Sequence, residues 1–400
     1  MKKDDFYREA RHDLTGPLAG ILVVEATTTW AGPMAGCILA DFGARVIKVE
    51  HPGGEVARRL LPAVPGSAAR LSLVNETVNR NKESVALTLS TAAGRDVFLA
   101  LVARADVMIE NFRPGTLAEW GLGYEDVRAV KSDIVYVSIS GYGQFGPLSP
   151  RAGYDPLAQN FSGFSSLNGD PESGPVKAPT FLGDDLGGVH GALGALAALR
   201  HRDRTGEGQH VDVALLDSLL FQSNGRLSAG ALDIPQAKFG NQFEIAAPVN
   251  AYACRDGHVF AGILLDSHWK TLAAVIGRAE LADDPRFAVL GHRLSNRDEA
   301  DRMLADWCAT RTVAEVVDTL TEAGLPACRI NTYAEASREP HVLARDMLQP
   351  TLLSDGSTVP LTGPAVKFSR TPTRVRTAAE SLGASTDRVL RELGFRDDAT

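Results

Sequence analysis

Apolar and polar positions in this chain of 400 residues fall into two periods that alternate along its length. Ile21-Leu22-Val23-Val24 is a short apolar run without a polar face, as in a strand covered on both sides. The stretch Ala26-Thr27-Thr28-Thr29-Trp30-Ala31-Gly32-Pro33 reads as a loop, residues 34–42 as a helix, and Val46-Ile47-Lys48-Val49-Glu50 as a second strand. This βαβ unit predicts a doubly wound parallel sheet. The alternation continues with helices at 94–104 and 124–131, and with strands at 107–109 and 134–139. A long helix over 181–200 follows, ending in a basic turn, then a strand at 209–214 and a helix at 215–224. From 225 the rhythm changes. Residues 233–248 carry Pro235, Pro248 and little periodicity, which marks a linker or loop. Residues 249–265 read as two antiparallel strands turning at Asp256-Gly257, followed by helices at 267–276, 296–309 and 312–324 and a strand at 327–330. Short strands and helices resume beyond it, closing on a helix at 385–393. The expected class is α/β. A Rossmann-like large domain opens over 1–225, and a smaller α+β domain with its linkers spans 226–329.

Composition changes this picture little. At 44% hydrophobic and 22% charged, the chain is an ordinary globular one. Its formal charge of -8 argues against nucleic acid as a main partner. Cys37, Cys254, Cys308 and Cys328 form no C-x-x-C pair and read as reduced thiols. The charged beginning MKKDDFYREARHD leads into no signal-peptide core. The weakly polar run 187–199 falls short of the ~20 residues of a membrane span. A cytoplasmic protein without membrane contact is the expectation.

The densest candidate chemistry lies in FLGDDLGGVHGALGALAALR, residues 181–200. Asp184 and Asp185 open a helix whose Gly187, Gly188, Gly191 and Gly194 recur at three- and four-residue spacing, so that another backbone can approach it. Each glycine costs about 1 kcal/mol against alanine in a helix, so the group needs a packing or site-building reason. An acidic residue in this position is either a cap facing the helix dipole or a carboxylate free for chemistry. With two of them, one can cap while the other reacts. Glu110-Asn111-Phe112-Arg113-Pro114-Gly115 is a turn-rich loop at a strand's carboxyl end, where open α/β sheets hold ligands.

Several chemistries are excluded. The first βα loop lacks G-x-G-x-x-G. The literal match at 141–146 is followed by Pro147 and Pro150, which block the required helix. There is no P-loop, no H-E-x-x-H and no G-x-S-x-G. The histidines show no ligand spacing, His190 reads as a packing residue, and no metal is expected.

Taken in order, these segments resemble the family III CoA-transferases, the group that contains formyl-CoA and carnitine CoA-transferases and the α-methylacyl-CoA racemases. The likeness is carried by GPLAGILVVE with the following AGP, LADFGARVIKVEHPGG, NRNKESVALTL, ENFRPGTL, VSISGYG, GDDLGGVHGALGALAAL and RTGEGQHVDVALLD. It implies a large domain completed by residues 330–400 and a homodimer of interlocked subunits. It also places the nucleophilic aspartate on Asp184, Leu87, Asn111 and Phe112 at the CoA site, and Tyr154 and Asp155 near the thioester. Trp30 stands where the formate-transferring members bind a small acid through glutamine, and Gly240-Asn241-Gln242 replaces a more glycine-rich covering loop. His51, Ser90 and Glu119 occupy positions that are basic in those members, so the CoA phosphates must be held differently. The implied reaction moves CoA from an acyl-CoA to a carboxylic acid through an aspartyl anhydride and an aspartyl-CoA thioester. CoA is then a substrate, and no tightly bound cofactor is expected.

Two other readings stay open. Racemases of the family use a G-H-D motif and a small-domain glutamate. Here the residues are Gly153-Tyr154-Asp155 and Leu265, with Asp266 beside it. A phenol of pKa about 10 is a poor base at neutral pH, so transfer is favoured over epimerisation. A silent acyl-CoA-binding protein on the same scaffold is the third reading, and the intact surroundings of Asp184 argue against it.

Overall fold

The structure, a computed structural model, describes residues 1–395. Six parallel strands form the main sheet: Leu22–Ala26 (β1), Arg45–Glu50 (β2), Lys82–Ala86 (β3), Val107–Glu110 (β4), Val135–Ser140 (β5) and Gln209–Ala214 (β6). Their order is β3-β2-β1-β4-β5-β6, that of a doubly wound Rossmann-type sheet. The order reverses between β1 and β4, so the loops after these strands diverge and leave a crevice at their carboxyl ends. β1 and β4 are in register from Val23 against Val107 to Ala26 against Glu110.

Successive side chains of a strand point to opposite faces, and two apolar layers result. Val23, Val46, Val107, Val135 and Val137 pack with Ala31, Ala35 and Leu39 of the helix Ala31–Asp41 and with Ala192, Ala195 and Leu199 of the helix Leu182–Thr205. On the other face, Val24, Ile47, Met108 and Tyr136 meet Phe98 and Leu101 of the helix Ala92–Val102. Val389 and Leu390 of the last helix, Thr386–Leu393, join that second layer.

The structure corrects the sequence pattern in three places. β3 was not expected, because Lys-Glu-Ser-Val-Ala has no apolar periodicity. Its Lys82 is buried all the same, donating to both oxygens of Glu25 on β1 at 2.8 and 3.0 Å. The first helix begins at Ala31 rather than 34, since a proline in the opening turn lacks only an N–H that has no helical partner there. The glycine-rich helix runs past 200 to Thr205, where Gly206 in the left-handed region (φ 77°) ends it.

The described residues divide into two compact units, one of Met1–Ser165, Lys177–Leu232 and 340–395, the other of Ser166–Val176 and Asp233–Glu339. The second unit holds an antiparallel sheet of Val249–Cys254, Gly257–Gly262 and Ala327–Arg329. Its core is built from Tyr252, Ile263, Trp269, Leu272, Leu304 and Val316. Arg293 lies inside this unit, where it donates to the carbonyls of Ala247 and Phe287 and pairs with Asp266 at 2.9 Å. Among the described residues, no helix is long and apolar enough to cross a membrane.

Candidate active site

Thr28, Thr29, Trp30, Asn111, Phe112, Ser140 and Tyr142 line a cleft at the carboxyl ends of β1, β4 and β5, and Asp184 lies in its wall. The glycine-rich helix brings Asp184 there. A Cβ on Gly188 would sit 2.7 Å from Met34 Cβ and 2.9 Å from the Ala31 carbonyl oxygen, so its absence lets the Ala31–Asp41 helix lie against this one. A Cβ on Gly187 would meet Leu215, and one on Gly191 would meet Ile139. The spacing of small residues seen in the sequence thus has its packing reason.

Neither aspartate of the pair caps the helix. That work falls to Asp155, on the earlier helix Asp155–Phe161, whose buried carboxylate accepts from the Gly183 N–H at 2.7 Å and from Gln159 Nε2 at 2.7 Å. Asp185 accepts from the Trp30 indole Nε1 at 2.6 Å, and the Trp30 ring meets Phe181 edge to face. Among the described residues, no group donates a hydrogen bond to the Asp184 carboxylate. Burial, with Asp155 and Asp185 adding negative charge, pushes its pKa from 3.8 to about 7. Burial also raises Asp185, against the pull of the Trp30 N–H. The three carboxylates therefore occupy three different environments, and Asp184 is the basic, unengaged one.

This arrangement sets a sign for stability. A carboxyl that binds its proton more tightly folded than unfolded favours the fold below pH 4, and the advantage is lost as pH rises through about 7. Asp184→Asn removes the ionisation, so its melting temperature should exceed that of the parent protein at pH 8 and match it near pH 4. A gain of up to about 4 kcal/mol at pH 8 is expected, because the rise from 3.8 to about 7 spans roughly three tenfold changes in proton affinity, each worth about 1.4 kcal/mol. Equal melting curves at both pH values would contradict the burial of this charge.

The other residues singled out in the sequence are distributed as follows. Trp30, Asn111, Phe112 and Tyr154 share the cleft with Asp184. Asn111 is spent on the neighbouring loop, donating to the Thr28 carbonyl and accepting from the Thr28 N–H, each at 2.8 Å. Leu87 is a core residue beside Val85 and Leu89, and its N–H is used by the Glu50 carbonyl at 2.8 Å. Gly240, Asn241 and Gln242 form a turn of the second unit, in which Gln242 donates to Asp301 at 2.8 Å. His190 pairs with Ser218 at 2.9 Å, as a packing histidine does. Sequence reasoning named Arg113 only as part of its loop and passed over Arg151; both also line the cleft. It also passed over Glu55, whose side chain reaches back to the Thr29 N–H. No periodicity marks such residues; the only signal was the basic character of the two arginines in loops next to strand ends.

The sequence model of CoA-transferase family III matches residues 18–386. The chain is 36% identical over 392 residues to the succinyl-CoA–L-malate CoA-transferase beta subunit of Chloroflexus aurantiacus, covering 96% of each. It is 34% identical over 385 residues to the succinate–glutarate CoA-transferase of Agrobacterium fabrum, covering 94% of this chain and 96% of that one. A crystal structure of a CAIB/BAIF family protein from Brucella suis superposes with a TM-score of 0.85 at 33% identity, over 95% of this chain and 100% of the other.

Proposed function

From the premise that this chain belongs to CoA-transferase family III, we propose that it moves CoA from an acyl-CoA to a carboxylic acid with Asp184 as the nucleophile. One observation carries this: a carboxylate in the cleft wall that accepts no hydrogen bond among the described residues and that burial pushes up to about 7. Such a group is more basic than an ordinary carboxylate, hence the better nucleophile once ionised. It attacks the thioester carbonyl, the C–S bond breaks, and CoA thiolate leaves an aspartyl–acyl anhydride. The thiolate then attacks the Asp184 carbonyl, releasing the donor acid and forming an aspartyl-CoA thioester. The acceptor carboxylate attacks that thioester and expels the thiolate, which takes the acceptor acyl group and regenerates Asp184. One thioester is broken and one is made, so no nucleotide is needed.

Burial keeps Asp184 basic, with added negative charge from Asp155, spent on the helix start, and Asp185, held by Trp30, both of which are unavailable as nucleophiles. Arg113 and Arg151 suit the anionic parts of the substrates, since a guanidinium matches carboxylate and phosphate geometry. The relatives' names specify succinyl and malyl or glutaryl groups, so dicarboxylic acids are the first acceptors to try. The large apolar side chains exposed along the first unit support a homodimer, Phe161, Val189, Leu193, Phe221 and Leu232 among them. The reading also keeps the second unit as the small domain.

The test follows the oxygen atoms. The anhydride bridge leaves one oxygen of the acceptor on Asp184, and the next turnover hands it to the donor acid. With an ¹⁸O-labelled dicarboxylate acceptor, label should therefore appear in the acid released from the donor over many turnovers. Release of unlabelled donor acid alone would rule the sequence out. Deuterium entering the α-carbon of an acyl-CoA without any acceptor would instead favour the racemase. The structure gives that reading little support, because Asp266 is already paired with Arg293.

A further inference from the structure

Four ionisable side chains are buried beneath the loop that follows β1. Glu25 and Lys48 are 0% and 1% exposed, Glu55 and Lys82 9% and 3%. Two carboxylates and two ammonium groups make the set formally neutral. Lys82 binds Glu25 and also donates to the Pro33 carbonyl at 2.7 Å and to Asn79 Oδ1 at 3.1 Å. Lys48 pairs with Glu55 at 3.0 Å and with Glu25 at 3.3 Å, and donates to the Thr27 carbonyl at 3.0 Å. A Cβ on Gly36 would lie 1.6 Å from Glu25 Oε2, so the helix above is cut away to admit this carboxylate. Buried ion pairs are poor sources of stability, because removing the charges from water costs about as much as their attraction returns. The set therefore calls for another role.

What it holds is the backbone leading to Trp30. Lys48 fixes the Thr27 carbonyl, Asn111 fixes both polar groups of Thr28, and Glu55 Oε2 accepts the Thr29 N–H at 2.6 Å. Thr29 sits at φ 68°, a left-handed conformation that a β-branched residue adopts only under constraint. Released, it would relax to negative φ and swing the next residue. That residue is Trp30, whose indole N–H is bonded to Asp185 beside Asp184. Glu55 is itself oriented from behind by Lys48 and by Asn79 Nδ2 at 3.2 Å.

We infer that Glu55, backed by Lys48, is a positioning residue for the reaction: it locks Thr29 in its left-handed conformation and so sets the Trp30 indole against Asp185 next to the nucleophile. The inference rests on the reading of Asp184 given above. Glu55 touches no reacting atom and acts only through the loop.

Glu55→Asp separates this role from charge balance. The carboxylate stays near Lys48, but the side chain is one methylene shorter and no longer reaches the Thr29 N–H. Turnover in the full-length protein should fall ~10–100-fold while KM for the acyl-CoA changes less than ~3-fold, as expected for loss of orientation at the reacting centre. The indole ¹H–¹⁵N resonance that disappears in Trp30→Phe should shift upfield as its short hydrogen bond loosens. In the Trp30→Phe background, Glu55→Asp should cost less than ~3-fold, since groups acting through one contact are not additive. Full additivity, an unmoved indole resonance or unchanged turnover would each overturn the inference. If Glu55→Asp does not fold, Asn79→Ser removes one donor that orients Glu55 and takes the same readouts at smaller amplitude. Asp184→Ala separates the two levels: if it turns over normally the reading of the site fails, whereas a dead Asp184→Ala beside a fully active Glu55→Asp sinks only the positioning role.

Discussion

Asp184→Ala should abolish CoA transfer while leaving the protein folded. The expected loss is at least ~10⁴-fold in kcat, the scale seen when a covalent nucleophile is removed. No neighbour can substitute. Asp185 lies next to it in sequence, but its carboxylate accepts the Trp30 indole N–H, and Asp155 is buried against the Gly183 N–H and Gln159. Asp184→Asn should be equally inactive, because an amide oxygen is a far weaker nucleophile than a carboxylate. Asp184→Glu keeps the charge but carries it about one bond further, and misplacement by ~1 Å can cost about 10²-fold. The check is a steady-state exchange assay with acyl-CoA and a dicarboxylate, read beside hydroxylamine trapping, which turns an enzyme–CoA thioester into a hydroxamate. All three variants should give native circular dichroism and no hydroxamate above a few per cent of the parent signal. Full-speed exchange by the asparagine variant would remove Asp184 from the reaction.

How far the site could be read beforehand depends on the distance over which each feature acts. β1, β2, β4 and β5 announce themselves locally as largely apolar runs buried on both faces, and β6, an edge strand with Gln209 and His210 exposed, by the alternation of Val211 and Val213 with polar residues. β3 does not. Its Lys82 is buried only because Glu25, 57 positions away in the chain, faces it across the sheet. The same holds at the helix start. Two adjacent aspartates suggest that one caps and one reacts, but neither caps: the cap comes from Asp155 and the restraint on Asp185 from Trp30. The family motifs placed Asp184, Asn111, Phe112, Tyr154 and Trp30, and these do converge on one cleft. Leu87 does not join them, because a leucine beside a strand end is as readily core as contact, and here it is core. Glu55 was invisible for a further reason: its function is to hold a backbone conformation, and a threonine triplet gives no hint that its third member has positive φ.

Gly188→Val should be strongly damaging to the scaffold beneath the site. The glycine-rich helix and the helix Ala31–Asp41 meet where a Cβ on Gly188 would fall 2.7 Å from Met34 Cβ and Cγ and 2.9 Å from the Ala31 carbonyl oxygen. Met34 can move its outer atoms but not its Cβ, and the Ala31 oxygen belongs to the backbone. The helices must therefore separate. Alanine gains about 1 kcal/mol over glycine in helix propensity, so Gly188→Ala measures the clash against that gain; overpacking against a Cβ and a backbone oxygen falls in the upper part of the ~1–3 kcal/mol range, and a net loss of up to ~2 kcal/mol is expected. Valine adds two methyl groups and a restricted χ1, and should cost ~3 kcal/mol or more by urea denaturation. Gly291 supplies the control, since a Cβ there meets nothing within 4 Å and Gly291→Ala should be neutral or stabilising by up to ~1 kcal/mol. The function follows the same contact. Ala31 comes directly after Trp30, and Gly188 is four residues beyond Asp184, so forcing the helices apart stretches the 2.6 Å bond between Trp30 and Asp185. Gly188→Ala, still folded at 25 °C, should accordingly lose turnover along with stability. Wild-type stability in that variant would show that the two helices have room to spare, and that the small-residue face is not what seats the aspartate in its cleft.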